Sequence, residues 1–389
     1  MKKGEAGRTR LLMVRSGGWD QWVETLADHL GRHGFVVSVL VPNATVEQHR
    51  TSGAFSIQGG VRSRGLTGVW RSALALRRHL ARADPDILYV VDSWSIPMVW
   101  LATAGKLRWP RTSVVYHTFE WIEPAVHGRA RCHLEKLMCR RADLVVNVDR
   151  TRGRVQQLVY GLARTPLWVR NSLSRDYPVP VPSSEARRRL LGQHPPEDSV
   201  AVVCPSSMHP DRRGVEIVRA VAKLPPRFRL AAIAGSGPYQ DECARVAEAS
   251  GASDRVTFLP RMSFHEAMTC AANADIGLVL HDGKSPSLGN YLANPMRLSM
   301  FAASGIPVVA TDLPSVAEEV YRHGLGVCCD SSEPGSIAAA IERLERSALL
   351  KKPRNETIVA AFREETCFER RAADLEHALL SLEAGVRHE

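Results

Sequence analysis

Two stretches of this sequence carry residue types suited to holding an anion. The run Ser206-Ser207-Met208-His209-Pro210-Asp211-Arg212-Arg213-Gly214 follows the apolar segment Val200–Cys204. Its two guanidiniums can grip phosphate oxygens in bidentate fashion. Further on, Gly235-Ser236-Gly237-Pro238 follows a second apolar run, and Arg261 and Thr311-Asp312 follow later ones. Glycines at a strand end let backbone approach a ligand closely. Position 240 is Gln, so the pattern is not G-x-G-x-x-G, which argues against NAD. Open parallel sheets bind ligands in the loops after their strands. The segment Leu230–Asp330 is therefore expected to hold a nucleotide or a nucleotide-linked substrate.

Those loops need strands to carry them. Short β-branched runs alternate with helical patterns along the chain, the signature of buried parallel strands and crossover helices. The N-terminal half predicts five strands: one in RLLMV, then Val36–Val41, Asp86–Val91, Ser113–Tyr116 and Asp143–Val148. Helices are predicted over Asp20–Gly34, Trp70–Arg82, Pro97–Leu107 and His127–Arg141. The stretch 172–198 is proline-rich around a short Arg-rich helix and reads as a linker. A second doubly wound unit opens at Val200, and 355–383 reads as one or two amphipathic helices. The expected domains are 1–171, 172–198 as linker, 199–350, and a helical tail over 351–389. The fold class is α/β, with two Rossmann-like doubly wound domains facing a cleft and C-terminal helices packing back toward the N-terminal domain.

Composition sets the outer bounds. A chain of 389 residues with 44% hydrophobic and 24% charged residues is ordinary for a two-domain globular protein. The apolar run near the N-terminus is too short for a signal peptide, and none approaches a membrane span, so a cytoplasmic location is expected. Eight scattered cysteines without a C-x-x-C pair read as buried free thiols rather than a zinc site. Asp84-Pro85-Asp86 precedes a strand rather than following one, and no metal or cofactor is expected. A net charge of +10 suits anionic partners. No RNA-binding signature accompanies it, and nucleic acid is not expected.

Five motifs in order carry a resemblance: G-S-G-P at 235–238, R-V-T-F-L-P at 255–260, A-D-I at 274–276, G-I-P-V-V-A-T-D at 305–312 and E-E-V at 318–320. On them the chain resembles the GT-B-fold retaining glycosyltransferases of the large group that includes sucrose-phosphate synthases, the family 4 or group 1 type. The resemblance spans nearly the whole chain. It implies a nucleotide-sugar donor such as a UDP-, GDP- or dTDP-sugar, held by the second domain. It also implies a sugar, lipid-linked or small-molecule acceptor held by the first. By the resemblance, Arg213 meets the donor diphosphate with Arg212 beside it, near Ser207. Arg297 stands where the family has Lys. The amides of Ser287, Leu288, Gly289 and Asn290 lie near the diphosphate at a helix start. Gly235, Gly237, Pro238 and Arg261 belong to the donor loops. Gly17 and Gly18 match a glycine-rich loop near the sugar.

The chain departs from the family at two positions. Met300 occupies the place of the Glu that grips the ribose hydroxyls, and position 292 is Leu. Glu318 or Glu319 is the expected substitute. In the first domain, V-V-Y-H-T-F-E at 114–120 keeps Glu120, while His117 stands at the family's Asp position. His117 and Glu120 are the catalytic candidates there, with Arg213 and Arg297 in the second domain. Two alternatives stay open: a catalytically silent partner protein, which Met300 motivates, and a sugar-nucleotide epimerase of the same fold. Trp70, Arg71, Arg77, Arg78, Trp109 and Arg111 suit peripheral contact with an anionic membrane. Oligomeric state is not readable from the sequence.

Overall fold

A computed structural model describes residues 8–16, 20–41, 54–59, 65–192, 194–233, 237–283, 288–292, 294–350 and 354–386. Gly17, Gly18, Gly235 and Ser287 lie outside these residues. The chain divides into two compact units, residues 1–170 with 371–389, and residues 171–370.

Among the described residues, unit one is built on a parallel sheet of seven strands. They are β1 (Arg10–Val14), β2 (Val36–Val41), β3 (Phe55–Gly59), β4 (Ile87–Val91), β5 (Ser113–Thr118), β6 (Leu144–Asn147) and β7 (Leu167–Trp168). Their order is β3-β2-β1-β4-β5-β6-β7. The five expected strands are therefore joined by two more, β3 and β7. Both lie at the sheet edges, where a strand needs neither length nor a continuous apolar run. β3 carries Ser56 and Gln58, and β7 has two residues. Inside the sheet, every residue of β4 and β5 is buried, as both-face coverage by helices demands.

Unit two has six parallel strands: β8 (Val200–Cys204), β9 (Phe228–Ile233), β10 (Val256–Leu259), β11 (Ile276–Val279), β12 (Val308–Thr311) and β13 (Gly326–Cys329). Their order is β10-β9-β8-β11-β12-β13. Side chains alternate between two cores. Ala201, Val203, Ala231, Val279, Val308 and Ala310 face one. Val200, Val202, Leu230, Ala232, Ile276, Leu278 and Val309 face the other. That is the period-two rule applied to a sheet covered on both sides. Helix Met296–Ser304 comes close to the strands because residue 277 is glycine. A Cβ there would stand 2.6 Å from the Phe301 ring.

The stretch expected as a linker contains helix Ser184–Leu191, and its Leu190 and Leu191 sit in unit two's core. The C-terminal region forms Glu356–Ala361, a π-turn over Phe362–Thr366, and helix Glu369–Val386. That last helix starts in unit two and belongs to unit one from residue 371 onward. All eight cysteines are buried free thiols. Among the described residues, no helix is long and apolar enough to cross a membrane.

Candidate functional site

In unit two the winding direction reverses between β8 and β11, and a crevice opens at the carboxyl ends of strands at such a point. Three segments converge there. A short 3-10 turn, Pro210–Arg212, leads from β8 into helix Gly214–Lys223. His281 and Asp282 follow β11. Arg297 lies in the first turn of helix Met296–Ser304, whose N-cap is Pro295.

His281 is the hub of this cluster. Its backbone is held on both sides, with N–H donating to Thr311 Oγ1 at 2.7 Å and C=O accepting from Ser331 Oγ at 2.7 Å. The residue is 3% exposed. Burial, then the charges of Arg297 and Arg212, push its pKa well below the ordinary histidine value, so it stays neutral. Arg297 Nη2 donates to His281 Nε2 at 2.8 Å, and Arg297 Nη1 donates to Ser206 Oγ at 3.2 Å. Arg212 Nη1 stands 2.7 Å from His281 Nδ1 and 3.0 Å from Nε2. A neutral imidazole has one acceptor nitrogen. It therefore accepts from only one of the two guanidiniums at a time.

Arg297 is 8% exposed, and among the described residues its side chain donates to two neutral groups, Ser206 and His281. Burial and the neighbouring Arg212 charge pull its pKa down to about 9, which still leaves it charged at neutral pH. A buried cation in the first turn of a helix also opposes the helix dipole. Burying such a charge is costly without a counter-charge. An anion seated against Arg297 and Arg212 supplies one.

Arg213 is placed differently. Its backbone is left-handed, at φ 58°. Its side chain is 12% exposed and is held by Glu216 Oε1 at 3.1 Å and by an ion pair with Asp282. Two carboxylates thus already balance the residue expected to lead the diphosphate contact. The glycine after it is required by packing, since a Cβ at Gly214 would meet Tyr239 Cε1 at 2.9 Å.

The remaining donor-side candidates follow β8, β9, β10 and β11 at the carboxyl end of the sheet or lie on helix Pro314–Arg322. Ser207 is exposed, and its neighbour Ser206 is the one bonded to Arg297. Gly237, at φ 140°, caps helix Pro238–Ala249, a conformation that favours glycine. Both Gly237 and Pro238 are exposed, as is Arg261 after β10. Leu288, Gly289 and the backbone of Asn290 lie in the one-turn helix Leu288–Tyr291, with Leu288 42% exposed. Glu318 is exposed and pairs with Arg322 on its own helix. The expectation that Met300 faces the nucleotide is corrected. It is 3% exposed within the apolar core, where a thioether packs and a carboxylate would be stranded.

In unit one the reversal falls between β1 and β4. Ser16 N–H donates to Ser95 Oγ at 3.0 Å, and Ser95 Oγ donates to Val91 O at 2.6 Å, tying the two loops. Asp92 is 5% exposed at φ 65°, and burial raises its pKa. Arg131 donates to Ser93 Oγ at 2.9 Å and lies 3.4 Å over the Trp94 ring.

The two catalytic candidates of unit one part company. His117 is fully buried. Its Nδ1 lies 2.7 Å from Tyr89 OH and its ring meets the Trp22 ring edge-on. Burial, then Arg152 and Arg15, push its pKa well below the ordinary value. It is a neutral packing residue that cannot reach an acceptor. Glu120 is exposed on the loop after β5. Glu135 is 1% exposed and accepts from Tyr116 OH at 2.7 Å and Tyr160 OH at 2.5 Å. Burial raises its pKa to about 7, and its place in the fold is structural.

The sequence reading missed His281 and Asp92. The available signal was a titratable residue directly after a fully apolar strand, in VLHD and VVDS.

The sequence matches two families. Residues 193–362 match Glycosyl transferases group 1, and residues 16–170 match Glycosyltransferase Family 4. A GDP-mannose-dependent alpha-(1-6)-phosphatidylinositol monomannoside mannosyltransferase of Mycobacterium tuberculosis is 26% identical over 196 residues, which is 49% of this chain and 49% of that protein. An exopolysaccharide phosphotransferase of Streptomyces coelicolor is 28% identical over 201 residues, 49% of this chain and 20% of that protein. The matches thus span about half the length of the mannosyltransferase and less of the second relative. Among solved structures, a sucrose-phosphate synthase from Thermosynechococcus elongatus aligns with a TM-score of 0.74 at 17% identity, covering 97% of this chain and all 100% of that one. The Anabaena protein Alr3699/HepE, solved with UDP and glucose, aligns with a TM-score of 0.72 at 16% identity, covering 96% and 100%. At these identities the structures establish the GT-B architecture.

Proposed function

The chain belongs to the GT-B glycosyltransferases of the group 1 and family 4 type, and on that premise we propose that it moves a sugar from a nucleotide-sugar donor to an acceptor hydroxyl or amine with retention of configuration. One observation carries the reading. Arg297 is buried with neutral partners beside a second cation, Arg212, at the crevice of unit two. The donor diphosphate is the anion this pair fits. In the transfer, the bond from the anomeric carbon to the phosphate oxygen breaks and a bond to the acceptor forms. The acceptor's proton passes to the departing diphosphate. The sugar turns oxocarbenium-like as the diphosphate leaves, so stabilising the leaving oxygens is the main task. Arg297 and Arg212 supply that charge, with Arg213 as a supporting group. The Anabaena neighbour, solved with UDP and glucose, supports a nucleotide-sugar donor.

The acceptor side favours a lipid-linked molecule. Leu66, Trp70 and Leu74 are 82%, 58% and 49% exposed at four-residue spacing on helix Gly65–Ala83. Exposed Arg71 and Arg78 flank them. Apolar and basic groups together on a helix suit an anionic membrane surface. The mannosyltransferase relative, by its name, acts on a phosphatidylinositol mannoside.

The deciding experiment is calorimetric titration of UDP, GDP and dTDP. It is followed by mass spectrometry of products formed from the matching nucleotide sugars, with and without lipid-linked acceptors. The expected outcome is one preferred nucleotide and a glycosylated acceptor. Lack of binding at millimolar nucleotide would sink the transferase, and epimerised donor without acceptor would replace it with an epimerase. Flotation with anionic and neutral vesicles tests the membrane face, which is wrong if Trp70→Ser floats like the wild type.

A further inference from the structure

A group of metal-binding side chains lies in unit one on helix Gln21–Arg32. His29 is in its last turn, and His33 is its C-terminal cap four residues on. That spacing puts both imidazoles on one face, and the rings stack at 4.1 Å. The third member, Glu376, comes from helix Glu369–Val386, and its Oε1 meets His29 Nε2. One ligand atom from each of the three lies within 4.8 Å of the others, and among the described residues no other such trio is found.

The tautomer of His33 is already set. Its Nδ1 is 2.7 Å from His29 O, and a carbonyl only accepts, so Nδ1 carries the proton. Nε2 keeps its lone pair as the acceptor nitrogen. A backbone carbonyl on the far nitrogen is the usual way a metal-bound imidazole is oriented. Two imidazoles and one carboxylate, with a water in the fourth position, are a donor set that zinc takes in four-coordinate geometry. Hard cations such as magnesium and calcium prefer all-oxygen sets.

We propose that His29, His33 and Glu376 bind one divalent transition-metal ion of the zinc class, which fastens the C-terminal helix to helix Gln21–Arg32. The site has no part in glycosyl transfer. The sequence expectation of no metal rested on cysteines and on Asp84-Pro85-Asp86. It could not see this trio, because Glu376 stands 347 residues from His29.

The test uses the untagged full chain and two metals. Cobalt(II) should bind at one equivalent, with the visible absorption of a four-coordinate ion, and zinc should displace it. His33 is exposed, so His33→Ala should fold normally. Its zinc affinity, read by competition with a chromophoric chelator, should fall on the order of 100-fold. Glu376→Gln should lose affinity similarly. Zinc should also slow tryptic cleavage at Arg370 and Arg371 in the wild type and leave the rate unchanged in His33→Ala. The proposal is overturned if His33→Ala binds zinc like the wild type, or if micromolar cobalt gives no bound species. Either result leaves His29 and Glu376 as an ion pair alone.

Discussion

The two units present the same place, the reversal point of a parallel sheet, with opposite chemistry. Unit two fills it with cations, Arg212 and Arg297, around a histidine kept neutral. Unit one fills it with hydroxyls, a buried carboxylate at Asp92, and aromatic rings at Trp22, Phe119 and Trp94. Sheet topology decides where a ligand goes, and the residues after the strands decide which ligand. On the proposed function, the cationic crevice takes the group that departs with negative charge.

The strongest test removes the cation from one side. Arg297→Met keeps the volume and deletes the charge. The preferred nucleoside diphosphate should then bind about 3 kcal/mol more weakly, roughly 100-fold. Thermal stability should hold or rise, because a buried charge whose described partners are neutral is gone. Calorimetry and melting in parallel read both. Unchanged nucleotide affinity would break the contrast between the units.

Next in size is a pH effect confined to unit one. Glu135 has its pKa raised from the ordinary 4.5 to about 7 by burial. The folded state therefore holds this proton more tightly than the unfolded chain does. Its stabilising contribution is complete below about pH 4.5 and is lost as pH rises through 7. Glu135→Gln should flatten that part of the stability profile, a difference of a few kcal/mol. It should leave diphosphate affinity alone. Chemical denaturation across pH 4 to 9 measures it, and an unaltered slope would remove Glu135 as the source.

A smaller effect separates Arg213 from Arg297. Arg213 is already balanced by Glu216 and Asp282. Arg213→Ala should weaken diphosphate binding by only about 1 kcal/mol. A loss as large as that of Arg297→Met would mean that Arg213 leaves its carboxylates when the ligand arrives. Smallest of all, Met300→Leu should change stability by less than about 1.5 kcal/mol and nucleotide affinity not at all. A clear affinity change would return Met300 to the ligand surface.

Most of the architecture was legible because its signals are local. Val36–Val41 and Val200–Cys204 are β-branched runs that nothing but a buried strand explains. β3 and β7 were not legible, because edge pairing comes from neighbours and leaves little trace in SIQ or LW. Arg212, Arg213 and Arg297 were visible as cations in loops and at a helix start. What they converge on was not. His281 gains its meaning from β8 lying beside β11, a pairing 70 or so residues apart in the chain that the sheet order alone reveals. The ranking of Arg297 over Arg213 likewise depends on Asp282, whose side chain no spacing rule connects to Arg213.

The last helix gives the order of synthesis an odd turn. Unit two is one continuous stretch, 171–370, set inside the sequence of unit one. Ala372, Leu375 and Leu379 are buried on the stretch that returns to unit one. On a ribosome, domains usually fold in the order they emerge. Here the domain that begins first is finished second. Helix Gln21–Arg32 must wait for its Glu376 partner until a whole further domain has been made. Premature termination anywhere between 171 and 371 would therefore harm the half of the protein already translated. A chain cut after residue 370 should keep a folded second unit and expose the first to proteolysis.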